Sequence, residues 1–138
     1  MFKRVLLATD GSPVIEREIL YAEHLARVEQ AELFVLHAYE PPVLYAEVPG
    51  YDELQARFRA VAQALVDDAV QTLRDDGFAA AGEVRAQPAG AAIIDAAREH
   101  DIDLIVMGTR GGGNLAAMLG SVSAYVLRHA HCPVLQIP

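Results

Sequence analysis

Apolar residues in this chain fall into short continuous runs separated by longer amphipathic stretches. Val5-Leu6-Leu7-Ala8, Leu33-Phe34-Val35-Leu36, Leu104-Ile105-Val106-Met107 and Val134-Leu135-Gln136-Ile137 are the clearest runs. They are apolar on successive positions rather than alternate ones, the pattern of strands buried on both faces of a parallel sheet. Between them apolar residues recur at i+3 and i+4, the signature of a helix with one buried face. Ile15, Ile19, Ala22, Leu25 and Ala26 form one such stripe, with Glu16, Arg17, Glu23 and Arg27 outside it. Leu54, Phe58, Val61, Leu65, Ala69 and Leu73 form a second, and Ile93, Ile94 and Ala97 a third.

Punctuation sets the boundaries. The first strand spans Lys3 to Asp10 and stops at Asp10-Gly11-Ser12-Pro13. Ser12 is expected to cap the first helix, with Pro13 at its first position and the end near Val28. Ala31 to Ala38 is the second strand. Residues 39–51 carry Pro41, Pro42, Pro49 and Gly50 without any period, so they form a loop of about a dozen residues. That loop is either a wall over a ligand or a plain solvent-exposed excursion. A long helix follows from Asp52 to about Asp76, with Gly77 suited to end it. Ala79 to Ala86 is the third strand, Ala89 to His100 the third helix and Leu104 to Met107 the fourth strand. Leu115 to Leu119 forms a short turn. Ser121 is expected to cap a last helix running to about His129, with Val122, Tyr125, Val126 and His129 inward. The last strand runs from Cys132 to Ile137, and Pro133 near its start places it at a sheet edge.

The order β-α-β-α-β-α-β-α-β requires a parallel sheet covered by helices on both faces. The chain is therefore expected to be one α/β domain, residues 1–138, with a doubly wound five-stranded sheet in the order 3-2-1-4-5. In that order the loops after strands 1 and 4 leave in opposite directions and open a crevice at the carboxyl edge, where such sheets bind ligands. Those loops are Thr9-Asp10-Gly11-Ser12 and Gly108-Thr109-Arg110-Gly111, about 100 residues apart in sequence.

Composition narrows the chemistry. The 138 residues carry a net charge of −8, which disfavours a phosphate backbone as partner, since nucleic acids are held by clustered Lys and Arg. A small anion is different, because a few backbone amides suffice for it locally. No apolar run approaches the roughly 20 residues of a membrane span, and no signal peptide is evident, so a cytoplasmic location is expected. The single cysteine, Cys132, excludes an internal disulfide and is expected to be a buried inert thiol. His37 is read as a satisfied strand-end histidine. His129 and His131 are two apart and would not share a helix face, so no metal site is expected.

The glycine-dense loop after the fourth strand and the helix start at Gly120-Ser121 would offer bare amides to phosphate oxygens. Gly108, Gly111, Gly120 and the Ser121 hydroxyl are the candidates. Arg110 would either reach a phosphate or face water. Asp10 would accept from a ribose hydroxyl or an adenine amino group, or else cap its own turn. The lysine of a G-x-x-x-x-G-K-[ST] phosphate loop is absent.

Val5 to Ser12, Asp103 to Gly111, Gly120-Ser121-Val122-Ser123 and Cys132-Pro133-Val134-Leu135 together resemble the universal stress protein family over the whole chain. The resemblance implies a stress-response homodimer joined through the last strand, with Val134, Leu135 and Ile137 at the contact. It implies an adenine nucleotide (ATP, ADP or AMP); Mg²⁺, if it accompanies the phosphates, would have Asp10 as its one carboxylate. Thr9 and Asp10, with the adjoining Gly11 and Ser12, would lie against the base and ribose. Ala38 would read adenine through its backbone, and Gly108, Gly111, Gly120, Ser121 and Val122 would line the phosphates. Two departures stand out. Eight residues, Gly112 to Leu119, separate Gly111 from Gly120 where the family pattern has nine, and Ala86 replaces a common glycine.

Three functions compete. The first is a nucleotide-binding regulatory protein. The second is an interaction protein of the same fold without a nucleotide. The third is an enzyme, at most a slow ATP hydrolase. The third is disfavoured, because no base, nucleophile pair or dense carboxylate set adjoins the glycine loop.

Overall fold

The computed structural model describes residues 1–41, 46–109 and 120–138. Five strands are β1 (Arg4–Thr9), β2 (Glu32–Ala38), β3 (Ala80–Arg85), β4 (Leu104–Gly108) and β5 (Val134–Ile137). Four helices are α1 (Ile15–Glu29), α2 (Tyr51–Asp75), α3 (Ala89–Glu99) and α4 (Ser121–His129). The sheet has the order β3-β2-β1-β4-β5 and every pairing is parallel. This is the expected doubly wound topology.

Alternation along the strands divides the core in two. Val5, Leu7, Leu33, Val35, Leu104, Val106 and Ile137 face α1 and α2. Leu6, Ala8, Leu36, Ile105 and Met107 face α3 and Val126 of α4. The central strand β1 is buried from Val5 to Thr9 because it has a strand on each side and a helical layer on each face. Its lower end is tied to β4 by one carboxylate: Asp103 accepts the Lys3 amide at 2.7 Å and the Arg4 amide at 3.2 Å. β5 is an edge strand, as Pro133 suggests.

Two helix expectations need correction. α1 begins at Ile15, not Pro13, and has no side-chain cap. Ser12 instead offers its carbonyl to the Ile15 amide at 3.2 Å, closing a tight turn before the helix. In α2 the buried face is Ala62, Val66, Ala69, Val70 and Leu73, rotated from the expected stripe. Leu54, Phe58 and Val61 are exposed, Val61 by 70%. Length explains this. Twenty-five helical residues span about 37 Å, whereas a six-residue strand spans about 20 Å. The early turns of α2 therefore run past the carboxyl edge of the sheet. There Phe58 stacks against Tyr39, with ring centroids 6.5 Å apart.

β3 has little apolar bulk because α2 lies directly on it. A Cβ at Gly82 would stand 2.6 Å from Val66 Cγ1 and 2.9 Å from the Val35 carbonyl oxygen. Gly82→Val should therefore push α2 off the sheet and cost about 1–3 kcal/mol. Urea denaturation checks this; an unchanged midpoint would mean that α2 does not pack as described.

Candidate functional site

At the carboxyl edge, β1 and β4 hand the chain to opposite faces. β1 leads through Thr9 to Val14 into α1, on the Val5/Leu7 face. β4 leads by way of Gly108 and Thr109 toward α4, on the Leu6/Met107 face. The crevice between these exits brings Thr9, Asp10, Gly11 and Ser12 to one side and Gly108, Thr109, Gly120 and Ser121 to the other. Arg110, Gly111, the Gly112–Leu119 spacer and the expected turn at 115–119 lie outside the described residues, as do residues 42–45 of the long loop.

The β1 side is a built turn. Gly11 has φ of +85°, a conformation side chains rarely adopt, and a Cβ there would meet Leu65 Cδ1 at 2.8 Å. Its amide donates to Thr9 Oγ1 at 3.1 Å, and the Ser12 amide donates to Asp10 Oδ1 at 2.9 Å. Asp10 thus caps its own turn, one of its two expected roles. His37, at the end of β2, is satisfied as expected, its Nδ1 lying 2.7 Å from the Thr9 carbonyl oxygen. Ala38 ends β2 and is half-buried against the α3 core. Ala86 is exposed just beyond β3.

The β4 side is held by a serine that sequence reasoning passed over. Ser123 is buried, and its hydroxyl lies 3.0 Å from the Gly108 carbonyl oxygen and 3.2 Å from that of Thr109. The Gly120 amide donates to the Thr109 carbonyl at 3.2 Å. These contacts fix the start of α4 beside the end of β4. Ser121 does not cap α4: Gly120 occupies the cap position and Ser121 is the first helical residue, with no side-chain cap bond. The hydroxyl at Ser123 meets strand-end carbonyls instead. The first bond inside the helix runs from the Ala124 amide to the Gly120 carbonyl, so the preceding first-turn amides have no helical acceptor. Val122 turns its side chain to the core. Tyr125 and His129 are not inward as expected. Tyr125 is 41% exposed, and its ring stacks on that of His129.

Glu18 is the other residue that sequence reasoning missed. It stands in the first turns of α1, only 3% exposed, with Oε2 lacking a hydrogen-bond partner. Burial, and secondly the negative charge of Asp10, push its pKa up to about 8, while a backbone hydrogen bond from Gly108 pulls the other way. Glu18 therefore adjoins both sides of the crevice. One signal was available: it lies between Ile15 and Ala22, three residues after the first and four before the second, on the buried stripe. Cys132 is half-buried, and burial raises its thiol pKa, as an inert thiol requires. Among the described residues no group of three or more His, Cys, Asp or Glu side chains is placed to hold a metal ion. None of their helices is long and apolar enough to cross a membrane.

The model of the universal stress protein family matches residues 1–138. The chain belongs to this family. A universal stress protein of Thermus aquaticus is 39% identical over 141 residues, covering 99% of each chain. Among solved structures, the hypothetical protein MJ0577 superposes with a TM-score of 0.89 at 25% identity, over 99% of this chain and 96% of that one. A universal stress protein in complex with cAMP superposes with a TM-score of 0.75 at 25% identity, over 99% and 96%.

The raised pKa of Glu18 makes a stability prediction for this universal stress protein. A carboxyl that ionises near 4.5 in the unfolded chain and near 8 in the fold contributes fully below about pH 4.5. That contribution falls by up to ~1.4 kcal/mol per pH unit until about pH 8. Glu18→Gln removes the titration. Its melting temperature relative to wild type should rise across that window and level off above it. A constant difference from pH 4 to 9 would show that Glu18 ionises normally.

Proposed function

We propose that this universal stress protein binds an adenine nucleotide in the β1/β4 crevice and acts as a regulatory dimer in a stress response. The observation that carries the reading is the start of α4. Ser123 and Gly120 fasten it to the Gly108 and Thr109 carbonyls, which leaves first-turn amides beside the crevice mouth. Such amides, with the helix dipole behind them, suit phosphate oxygens. The residues present fit the group. Gly108, Gly120, Ser121 and the Val122 backbone would take phosphates, joined by Arg110 and Gly111 on the strength of the motif. Thr9 and Asp10, with Gly11 and Ser12, would take the sugar and base, and Ala38 the adenine edge. Mg²⁺ would accompany the phosphates, with Asp10 as its carboxylate. The cAMP complex of a neighbour with the same fold supports an adenine ligand. The nucleotide would be sensed rather than consumed, with slow ATP hydrolysis the most the site would do.

The dimer would form along the free edge of β5. Val134 and Leu135 are half-buried, packed in part against the protein's own core with the rest of their surface left for a second copy, whereas Ile137 is 1% exposed and lies wholly within that core. Its contribution would come through the backbone. A cytoplasmic location accords with this role.

Nucleotide-stripped protein titrated with ATP, ADP, AMP and cAMP, with and without Mg²⁺, tests the ligand. Saturation at 100 times Kd stabilises by about 2.7 kcal/mol, seen as a graded rise in melting temperature. Among the described residues, a methyl at Gly120 would meet the Thr109 oxygen alone, at 3.6 Å, an ordinary contact. Gly120→Ala should therefore keep the unliganded melting temperature and weaken the nucleotide shift. No shift with any nucleotide at millimolar concentration would remove the reading and leave an interaction protein of the same fold. Sedimentation at twice the chain mass is expected; monomer at every concentration would rule out the dimer.

A further inference from the structure

We propose that Glu18 couples ligand binding to proton uptake, so that the crevice holds an anionic ligand only while Glu18 carries its proton. This rests on the nucleotide reading and adds a regulation to it. The placement makes the argument. Glu18 enters from α1 on the face opposite α4, where α1 passes over the ends of β1 and β4. It is all but inaccessible to water, so an ionised carboxylate there keeps its field unscreened. Its Oε2 is buried and without a hydrogen-bond partner, a poor setting for a charge and a tolerable one for a hydroxyl.

Among the described residues, the charged and titratable groups around it do not supply a counter-ion. The loop after β1 brings Asp10, of the same sign. β4 brings the Gly108 backbone, which favours the charged form without neutralising it. α1 itself brings Arg17, whose side chain is exposed, is bound to the Pro138 carbonyl oxygen at 2.7 Å and makes no ion pair with Glu18. β2 brings His37, whose Nδ1 is engaged with the Thr9 carbonyl oxygen. α2 presents Asp68 across a groove walled by Ile15 and Ile19, also acidic. With these neighbours the pKa of about 8 means that Glu18 is mostly neutral near pH 7. A phosphate arriving beside Gly108 adds negative charge within reach of Glu18. It therefore raises the proton affinity further, and by linkage the proton raises the phosphate affinity equally. Below the pKa of the free protein no proton moves on binding. Above it, a proton is taken from solvent with each anion bound, and affinity falls as pH rises.

The test measures ATP and adenosine binding by calorimetry for wild type, Glu18→Gln and Glu18→Ala, from about pH 6.5 to about pH 9.5, in two buffers of different ionisation enthalpy. At the acid end wild type and Glu18→Gln should bind ATP alike. At the alkaline end wild type should bind about thirtyfold more weakly than Glu18→Gln, since each pH unit above the pKa costs a factor of about ten and pH 9.5 lies about one and a half units above it. Wild type should then take up more than half a proton per ATP, and the variants should not. Adenosine, which brings no charge, should show neither effect. Glu18→Ala keeps the test readable if the glutamine variant folds poorly. A wild-type to variant ratio that stays constant with pH, or equal coupling with adenosine, overturns the proposal. Absence of ATP binding by all three proteins at pH 6.5 overturns the nucleotide reading itself, a different result from binding without coupling.

Discussion

The constraint on which this molecule depends is the change of winding direction at β1. The chain first builds β2 and β3 to one side of it, then crosses and builds β4 and β5 on the other. Right-handed crossovers then place α1 and α2 on one face and α3 and α4 on the other. β1 has no choice but to be apolar on both faces, and its exit must diverge from that of β4. The crevice is a consequence of topology before any ligand is considered. The sequence decorates that opening: a tight turn at Gly11 on one side, and on the other a helix start fastened to the strand end through Ser123.

Most of the framework was legible because it rests on burial, which leaves a direct trace in the order of residues. Four apolar runs and three helical stripes placed seven elements, and the punctuation around residues 77–88 and at Gly120-Ser121 supplied the third strand and the last helix. What was misjudged falls where local patterns were overridden by geometry at the sheet edge. The stripe through Leu54, Phe58 and Val61 is a sound helical pattern, yet α2 outruns the sheet and those residues have no strand beneath them. Ser12 and Ser121 are good capping residues, but the turn before α1 closes on the Ser12 carbonyl, and the start of α4 is held by the Gly120 amide on the Thr109 carbonyl. Capping preference counts hydrogen-bonding potential and does not record what tertiary contacts already satisfy.

The site was legible in outline for the same reason and blind in one respect. Thr9, Asp10, Gly108 and Gly120 announce themselves by type and by their place at strand and helix ends. Ser123 and Glu18 do not, because each is a polar residue on the buried face of a helix, where a count of apolar positions passes over it. Buried polar groups persist only when something satisfies or tolerates them. Ser123 is satisfied by two carbonyls, which makes it a positioning residue for the start of α4. Glu18 is tolerated only in part, since its neighbours oppose its charge.

That contrast bears on how an acidic protein can hold an anion at all. The chain's net charge of −8 is spread over its surface, where solvent and salt weaken it over about 8–10 Å. Among the described residues, the charges that would matter to the proposed phosphate are Glu18, the least screened, and then Asp10. Asp10 is exposed, so its field is weakened by water. Glu18 is not exposed, and a full charge there would oppose the very amides that make the start of α4 attractive to phosphate. Burial resolves the conflict. The low dielectric that would magnify the repulsion also disfavours the ionised form, leaving a neutral carboxyl at the crevice wall. On the proposed reading, the amides of α4 would then act on an anion without opposition from this carboxyl.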